Sequence, residues 1–163
     1  MVQIEVHDGT VSLSEELLAL YVAVFAEAPY HDTQADTDEF VAEWPELTAE
    51  PGFRLVLARA ETGELAGFTI GHVLEPGTSW WSGLRERGYG VAELGVHRDW
   101  RRHGIARKLH DALLDGRPER QVVLWARPAA EVARAVYASW GYRQVDLIEG
   151  PKRTNLVLCL DRN

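Results

Sequence analysis

The chain has 163 residues, and its 17 lysines and arginines against 25 aspartates and glutamates leave a formal net charge of −8. A hydrophobic content of 46% and a charged content of 26% exclude wholesale disorder and a membrane bundle, and the length predicts one domain, residues 1–163, with a core of its own. The single cysteine, Cys159, excludes an internal disulfide and favours a reducing, cytoplasmic setting.

The charge is concentrated in two segments. Residues 27–50 contain eight acidic residues and no lysine or arginine, so this segment alone accounts for the net charge. Residues 98–108 contain five basic residues and one acid. This polarity predicts an anion held at the basic segment and leaves room for a cation at the acidic one.

The chain begins with a predicted strand and a predicted helix. Residues 2–6 alternate apolar and polar side chains, as in a half-buried strand and unlike a signal peptide. The apolar run over residues 17–26 is half of the ~20 residues needed to span a bilayer, so it predicts a core helix. Ser12 and Glu15 form the pattern of a capping box at its start. Because this helix is apolar all round, we expect a substrate groove or the partner of a homodimer to provide a second cover.

A second helix and a hairpin follow. The helix is expected to begin at Thr37 as its N-cap, with carboxylates in its first turn. The residues on or near its buried face are Phe40, Val41 and Trp44. Residues 53–59 and 65–73 are predicted to pair as a hairpin around Gly63. Residues 75–90, which contain four glycines and two tryptophans, are expected to be mostly loop.

The C-terminal half alternates strand and helix. The predicted elements are strand 91–96, helix 104–115, strand 121–126, helix 128–140, strand 142–147 and strand 154–160. The continuous apolar run within 121–126 is typical of a buried parallel strand. The apolar face of helix 128–140 is expected to contain Val132, Val136 and Trp140. The order of elements predicts an α/β protein.

Residues 93–106 run from a strand, through a basic loop, into the first turn of a helix. The first N–H groups of a helix have no internal partner, so this turn predicts a phosphate or pyrophosphate site that Gly104 lets an anion approach. The chain lacks the Gly-Lys-Ser/Thr of a nucleotide-binding loop, and Gly88-Tyr-Gly90 precedes the predicted strand, which disfavours a dinucleotide site. The alternative is a solvated basic face.

Two motifs carry a resemblance to a known family. Residues 101–106, Arg-Arg-His-Gly-Ile-Ala, resemble the Arg/Gln-x-x-Gly-x-Gly/Ala signature of the GCN5-related N-acetyltransferases (GNAT). About thirty residues later, residues 137–142, Tyr-Ala-Ser-Trp-Gly-Tyr, are similar to the family's Tyr-x-x-x-Gly-Phe/Tyr block. The order of elements extends the resemblance to nearly the whole chain, although the specific motifs lie between residues 93 and 142.

The resemblance implies a mostly antiparallel mixed sheet with about four helices, splayed at a central parallel pair to admit acetyl-CoA. The pantetheine arm would follow strand 91–96, where Gly95 suits a bulge, and the pyrophosphate would bind the N–H groups of the basic turn. The cofactor-binding residues it implies are Leu94, Gly95, Val96, Arg101, Arg102, His103, Gly104, Ile105, Ala106 and Arg107. Ordering of the loop is a further expected role of Arg101. The family often has an asparagine where this chain has Ala130, so contacts at the second strand differ, and Arg127 is a candidate to replace it.

The resemblance also implies roles in acetyl transfer. Tyr137 holds the family position of the acid that protonates the leaving thiolate, and its alternative is a core aromatic residue. A free alkylammonium titrates near ~10.4, so a base must take its proton at neutral pH. Glu93, on the strand expected to flank the thioester, is the candidate base and would act through a water; its alternative is a surface carboxylate with no catalytic role. His72 and His97 are further candidate bases with structural alternatives. Nothing has metal-ligand spacing.

The resemblance implies that the acceptor wall is formed by the acidic segment, residues 27–50, and by the loop after the third predicted strand, residues 75–90. Its substrate-binding residues are predicted to be Glu27, Tyr30, Trp80 and Trp81. Carboxylates beside aromatic rings favour a small cationic amine. Together with the resemblance, this predicts an acetyl-CoA-dependent N-acetyltransferase with no nucleic-acid or membrane partner. An acyl-CoA-binding regulatory module without turnover is the alternative, and nucleic-acid binding is disfavoured in so acidic a chain.

Overall fold

The computed structural model describes residues 1–163 and contains seven strands and four α-helices. The elements in chain order are β1 Val2–Asp8, α1 Glu15–Phe25, α2 Gln34–Thr48, β2 Arg54–Ala60, β3 Leu65–Leu74, β4 Gly88–Val96, α3 Ile105–Leu114, β5 Gln121–Ala126, α4 Glu131–Ser139, β6 Arg143–Glu149 and β7 Thr154–Asp161. A 3₁₀ turn, Arg98–Trp100, lies between β4 and α3.

The strands form one sheet in the order β1-β2-β3-β4-β5-β7-β6. β4 and β5 pair in parallel, with Tyr89–Val91 opposite Val122–Leu124. The pairs β1–β2, β2–β3, β5–β7 and β6–β7 are antiparallel. The predicted fold class, a mostly antiparallel mixed sheet about a central parallel pair with four helices, is confirmed.

The chain packs as two compact units, and it passes from one to the other within β3 and β4. The first unit contains residues 1–72 and 93–116, and the second contains residues 73–92 and 117–163. That all 163 residues make one domain stays a prediction. None of the helices has the length and apolar character needed to cross a bilayer.

In the first unit, helices cover both faces of the strands. The ring of Phe68 on β3 meets Phe25 of α1 edge-on, with centroids 6.5 Å apart. A Cβ placed on the neighbouring Gly67 would come within 3.0 Å of Leu109 of α3. Because successive residues of a strand point to opposite faces, α1 and α3 lie on opposite sides of the sheet. α2 joins the α1 side through Phe40, whose ring stacks on Tyr21 at 3.9 Å.

Both N-terminal helices begin at caps that differ from the predicted ones. The hydroxyl of Ser14 accepts a hydrogen bond of 3.1 Å from the N–H of Leu17, so Ser14 is the N-cap of α1 and the capping box at Ser12 is wrong. α2 begins after Thr33, which forms a reciprocal capping box with Asp36. Thr37, the predicted N-cap, is therefore inside the helix, because the earlier box satisfies two backbone donors.

Some residues expected to be buried are exposed. On α1, Val22 is 41% exposed, so one side of this helix is uncovered, and on α2, Val41 is equally exposed. On α4, Val132 is 81% exposed, so the predicted apolar face is wrong there. α4 begins at Glu131, later than predicted, because Arg127 and Ala130 close a turn ahead of it with a 2.9 Å hydrogen bond.

The second unit has its own core. Its buried residues are Leu74, Leu84, Val123, Val157 and Cys159. The segment Gly88-Tyr-Gly90 belongs to β4 and does not precede the strand, contrary to the prediction. A Cβ on Gly90 would lie 2.9 Å from the ring of Trp80, so glycine allows the tryptophan to pack on the strand.

Candidate active site

The connection from β4 to α3 is held by backbone hydrogen bonds, one of them to β3. The N–H of His97 donates to the carbonyl of Ala66 at 2.8 Å, and that of Trp100 donates to the carbonyl of His97 at 2.9 Å. The Nδ1 atom of His97 accepts a hydrogen bond of 3.2 Å from the N–H of Asp99. His97, a candidate base, thus caps the 3₁₀ turn. This is the structural role that was expected of His97 if it is not the base.

The N-terminus of α3 is built differently from those of α1 and α2. Arg102 and Gly104 have positive φ values of 66° and 73°, and they turn the chain into the helix. No side chain caps α3 and its first turn contains no acid, whereas side chains of Ser14 and Thr33 cap the two N-terminal helices. The positive end of the α3 dipole is therefore free of any competing side-chain acceptor, as an anion site requires.

The side chains around this N-terminus are arranged to leave it accessible. Arg102, His103, Gly104 and Arg107 are exposed, while Ile105 is 3% exposed and anchors the helix in the core. Arg107 forms an ion pair with Asp111, one turn further along the helix, at 3.2 Å. The predicted pyrophosphate-binding residues thus come together at one exposed, basic helix end.

The strand that leads to the turn contacts α1 closely. A Cβ on Gly95 would lie 2.9 Å from Val24 and 3.2 Å from Phe68, so this close approach requires a glycine. That Gly95 lies in a bulge stays a prediction. The Thr69 hydroxyl donates a 2.7 Å hydrogen bond to the carbonyl of Glu93, and Glu93, Leu94 and Val96 are half-buried.

Four predicted site residues come together in the first unit. The guanidinium of Arg101 donates to the carboxylate of Glu27 at 3.1 Å. Tyr30 packs edge-on against Phe25, with centroids 5.1 Å apart. Burial raises the pKa of the Tyr30 hydroxyl, and the nearby Glu93 charge raises it further while Arg101 opposes the shift. Tyr30 is therefore a protonated hydrogen-bond donor at neutral pH.

The other predicted site residues belong to the second unit. Trp80 and Trp81 pack against its core, and the carbonyl of Trp80 accepts a 2.9 Å hydrogen bond from the indole of Trp125. Tyr137 is half-buried on α4, and its ring lies 5.7 Å from that of Trp140 and 5.8 Å from that of Tyr142. Tyr137 thus packs among aromatic rings, as expected of a core aromatic residue. Its role as an acid stays a prediction.

Two other buried titratable side chains, His72 and Cys159, bear on the chemistry of the site. His72 is 6% exposed, and its Nδ1 atom lies 3.9 Å from the carboxylate of Glu50. Burial raises the pKa of the Cys159 thiol to about 11, so this cysteine is protonated at neutral pH and is a poor nucleophile. No group of three or more histidine, cysteine, aspartate or glutamate side chains is placed to hold a metal ion.

The sequence did not predict one exposed tryptophan, one hydrogen bond and one cavity. Trp125 lies in a run that predicted burial, yet it is 40% exposed. The hydrogen bond from Thr69 to Glu93 has no sequence signal. A cavity of about 350 Å³ in the second unit contains none of the predicted site residues. Its lining residues are Arg85, Glu86, Arg120, Gln121, Asp161 and Arg162.

The strand order and the basic turn between β4 and α3 define an α/β protein of the acetyltransferase type. The model of the acetyltransferase (GNAT) family matches residues 13–142, and the chain belongs to this family. No protein of curated function matches the sequence significantly.

Solved structures share the fold at low sequence identity. NAA60 of Arabidopsis thaliana, in complex with a bisubstrate analogue, has a TM-score of 0.71 and 18% identity over 99% of this chain and 100% of its own. PH1933 of Pyrococcus horikoshii has a TM-score of 0.70 and 18% identity over 99% of both chains. The ribosomal-protein-S18-alanine N-acetyltransferase of Escherichia coli has a TM-score of 0.65 and 17% identity over 99% of this chain and 94% of its own.

Proposed function

We propose that the chain is an acetyl-CoA-dependent N-acetyltransferase that moves the acetyl group directly onto a primary amine of a small cationic acceptor. The observation that carries the proposal is the start of α3, which has no side-chain cap, no acid in its first turn and two residues of positive φ ahead of it. Membership of the acetyltransferase family supports acetyl-CoA as the ligand of this anion site.

The donor site lies along β4 and the turn that follows. Backbone groups at Leu94 and Val96 bind the pantetheine arm, and the N–H groups of residues 102–106 bind the pyrophosphate. Arg102 and Arg107, both exposed, add positive charge at the same helix end. An anion suits this site chemically, because it can accept the hydrogen bonds that no side chain accepts at the start of α3.

The acceptor amine attacks the thioester carbonyl, the carbon–sulfur bond breaks, and the products are an amide and a thiol. Before the attack, Glu93 takes one proton from the ammonium group through a water. As the amide forms, the nitrogen loses its second proton to solvent, and Tyr137 donates a proton to the leaving thiolate and is reprotonated from solvent. The acidic segment supports a cationic acceptor. Tyr30, whose hydroxyl is protonated beside the charge of Glu93, orients the amine.

The acceptor class is tested by offering the protein a panel of polyamines, aminoglycosides and amino acids with acetyl-CoA. Release of the free thiol measures the acetylation of each acceptor. We expect cationic amines to be the best substrates. A preference for neutral or acidic acceptors would contradict the acceptor class. Saturable acetyl-CoA binding with no turnover on any amine would favour the regulatory module instead.

The role of Tyr137 is tested by Tyr137→Phe. We expect a lower kcat with an unchanged acetyl-CoA Kd, because the variant loses the acid and keeps the ring. Tyr142→Phe is the matched control, since it removes a hydroxyl from the ring 5.8 Å away. Equal thiol release by wild type and Tyr137→Phe would remove Tyr137 from the mechanism.

A further inference from the structure

We propose that Arg101 is a positioning residue that links the donor-binding turn to the loop between α1 and α2, and that it does not act as a ligand of the donor. This inference rests on the proposed function. It also assigns different roles to two adjacent arginines of the signature. Arg101 positions the loop between α1 and α2, and Arg102 binds the anion.

The guanidinium of Arg101 is held by two protein acceptors. Its Nε atom donates to the carbonyl of Val96 at 3.1 Å, and its Nη2 atom donates to the Glu27 carboxylate at 3.1 Å. The Arg101 backbone N–H donates to the carbonyl of Arg98 at 3.4 Å. These contacts fix the side chain to the end of β4 on one side and to the α1–α2 loop on the other.

Glu27 is the central residue of that loop. Its carbonyl accepts hydrogen bonds of 2.9 Å from the N–H groups of both Tyr30 and His31. The N–H of Asp32 then donates to the carbonyl of Phe25 at 2.8 Å, which closes the loop. Because the backbone turns around Glu27, fixing its carboxylate also fixes the position of Tyr30.

Arg102 contrasts with its neighbour. Both side chains are exposed, but Arg102 has a positive φ and its guanidinium has no hydrogen bond or ion pair within the chain. It is therefore available to an anion at the start of α3, whereas the guanidinium of Arg101 would have to leave a carboxylate and a carbonyl to reach one.

The experiment compares Arg101→Ala, Arg101→Lys, Glu27→Gln and Arg102→Ala. Calorimetry gives the acetyl-CoA Kd, and steady-state kinetics with the best amine give kcat and the acceptor KM. We expect Arg101→Ala and Glu27→Gln each to raise the acceptor KM about tenfold, a change of ~1.4 kcal/mol, with little change in the Kd. Arg102→Ala is expected to raise the Kd and leave the acceptor KM unchanged.

Two controls sharpen the comparison. Arg85→Ala removes an exposed arginine of the second unit and should change neither constant. The double variant Arg101→Ala/Glu27→Gln should be no worse than either single variant, because the two residues act through one contact. Arg101→Lys keeps the charge but cannot reach both acceptors in the same geometry, so it should restore only part of the loss.

Hydrogen exchange separates failure of this inference from failure of the proposed function. In the protein without ligand, Arg101→Ala should speed exchange at the N–H groups of Tyr30, His31 and Asp32, and Arg102→Ala should not. Equal exchange in both variants, or an acetyl-CoA Kd raised equally by both, would overturn the link. Failure of wild type to bind acetyl-CoA would overturn the proposed function, and the exchange result would still test the link.

Discussion

Replacing Gly104 by aspartate or by asparagine tests the anion site with two side chains of nearly equal shape. Gly104 is exposed, has a φ of 73°, and no atom lies within 4 Å of a Cβ placed on it. Both side chains therefore fit, and both residues tolerate this left-handed conformation better than other non-glycine residues do. The two variants differ by one negative charge at the start of α3.

The structure gives this charge opposite effects on stability and on binding. The left-handed conformation costs both variants about 1 kcal/mol. A carboxylate at the positive end of the helix dipole returns about 0.3–1 kcal/mol, so the aspartate variant should be at least as stable as the asparagine variant. The same carboxylate, ~4 Å from a bound phosphate charge, repels it by about 1 kcal/mol in water and more in a protected site.

The assay is urea denaturation for stability and calorimetric titration with acetyl-CoA for affinity. We expect the aspartate variant to bind acetyl-CoA about tenfold or more weakly than the asparagine variant, which corresponds to ~1.4 kcal/mol. The difference should shrink at high salt, because the screening length falls from about 10 Å at 0.1 M to about 3 Å at 1 M. Equal affinities of the two variants at low salt would refute the placement of the pyrophosphate at α3.

Three further predictions concern stability. Ser14→Ala should lower the free energy of unfolding by about 1 kcal/mol in urea, and Ser12→Ala should change it little, because Ser14 is the cap; equal effects would contradict this. Burial raises the pKa of Tyr142 well above its usual value, so the unfolded chain releases this proton first and stability should fall as pH rises past ~10, less so in Tyr142→Phe; alkaline urea titrations that coincide for both proteins would count against it. Glu119→Gln removes the carboxylate that pairs with Arg117 and should lower the free energy of unfolding in urea by about 2 kcal/mol. This is less than for a fully buried pair, because the Glu119 side chain is 2% exposed but that of Arg117 is 19% exposed. An unchanged unfolding midpoint would show that the pair contributes nothing.

The parts of the fold that the sequence predicted well have strong local patterns. β5 has its predicted bounds, Gln121–Ala126, because a continuous apolar run lies between charged residues. α3 was recognised from a turn glycine followed by apolar residues at helical spacing. Cap choice failed at Ser12, since two serines lie close to the helix start and only the backbone decides between them.

The candidate site has a sequence signal where it depends on the backbone and none where it depends on tertiary contacts. The start of α3 needs only a glycine and the absence of a capping side chain, both of which are visible in sequence. The pairing of Arg101 with Glu27 joins residues 74 positions apart, and no local pattern specifies it. The exposure of Val132 likewise depends on what packs against α4, and helical periodicity does not contain that information.

The central claim is that this chain binds acetyl-CoA through its pyrophosphate at the start of α3. Calorimetric titration of the wild-type protein with acetyl-CoA, and in parallel with acetyl-pantetheine, which lacks the pyrophosphate, tests the claim most directly. We predict saturable binding of one acetyl-CoA per chain and much weaker binding of acetyl-pantetheine. Absence of saturable acetyl-CoA binding, or equal affinity for the two ligands, would contradict the claim.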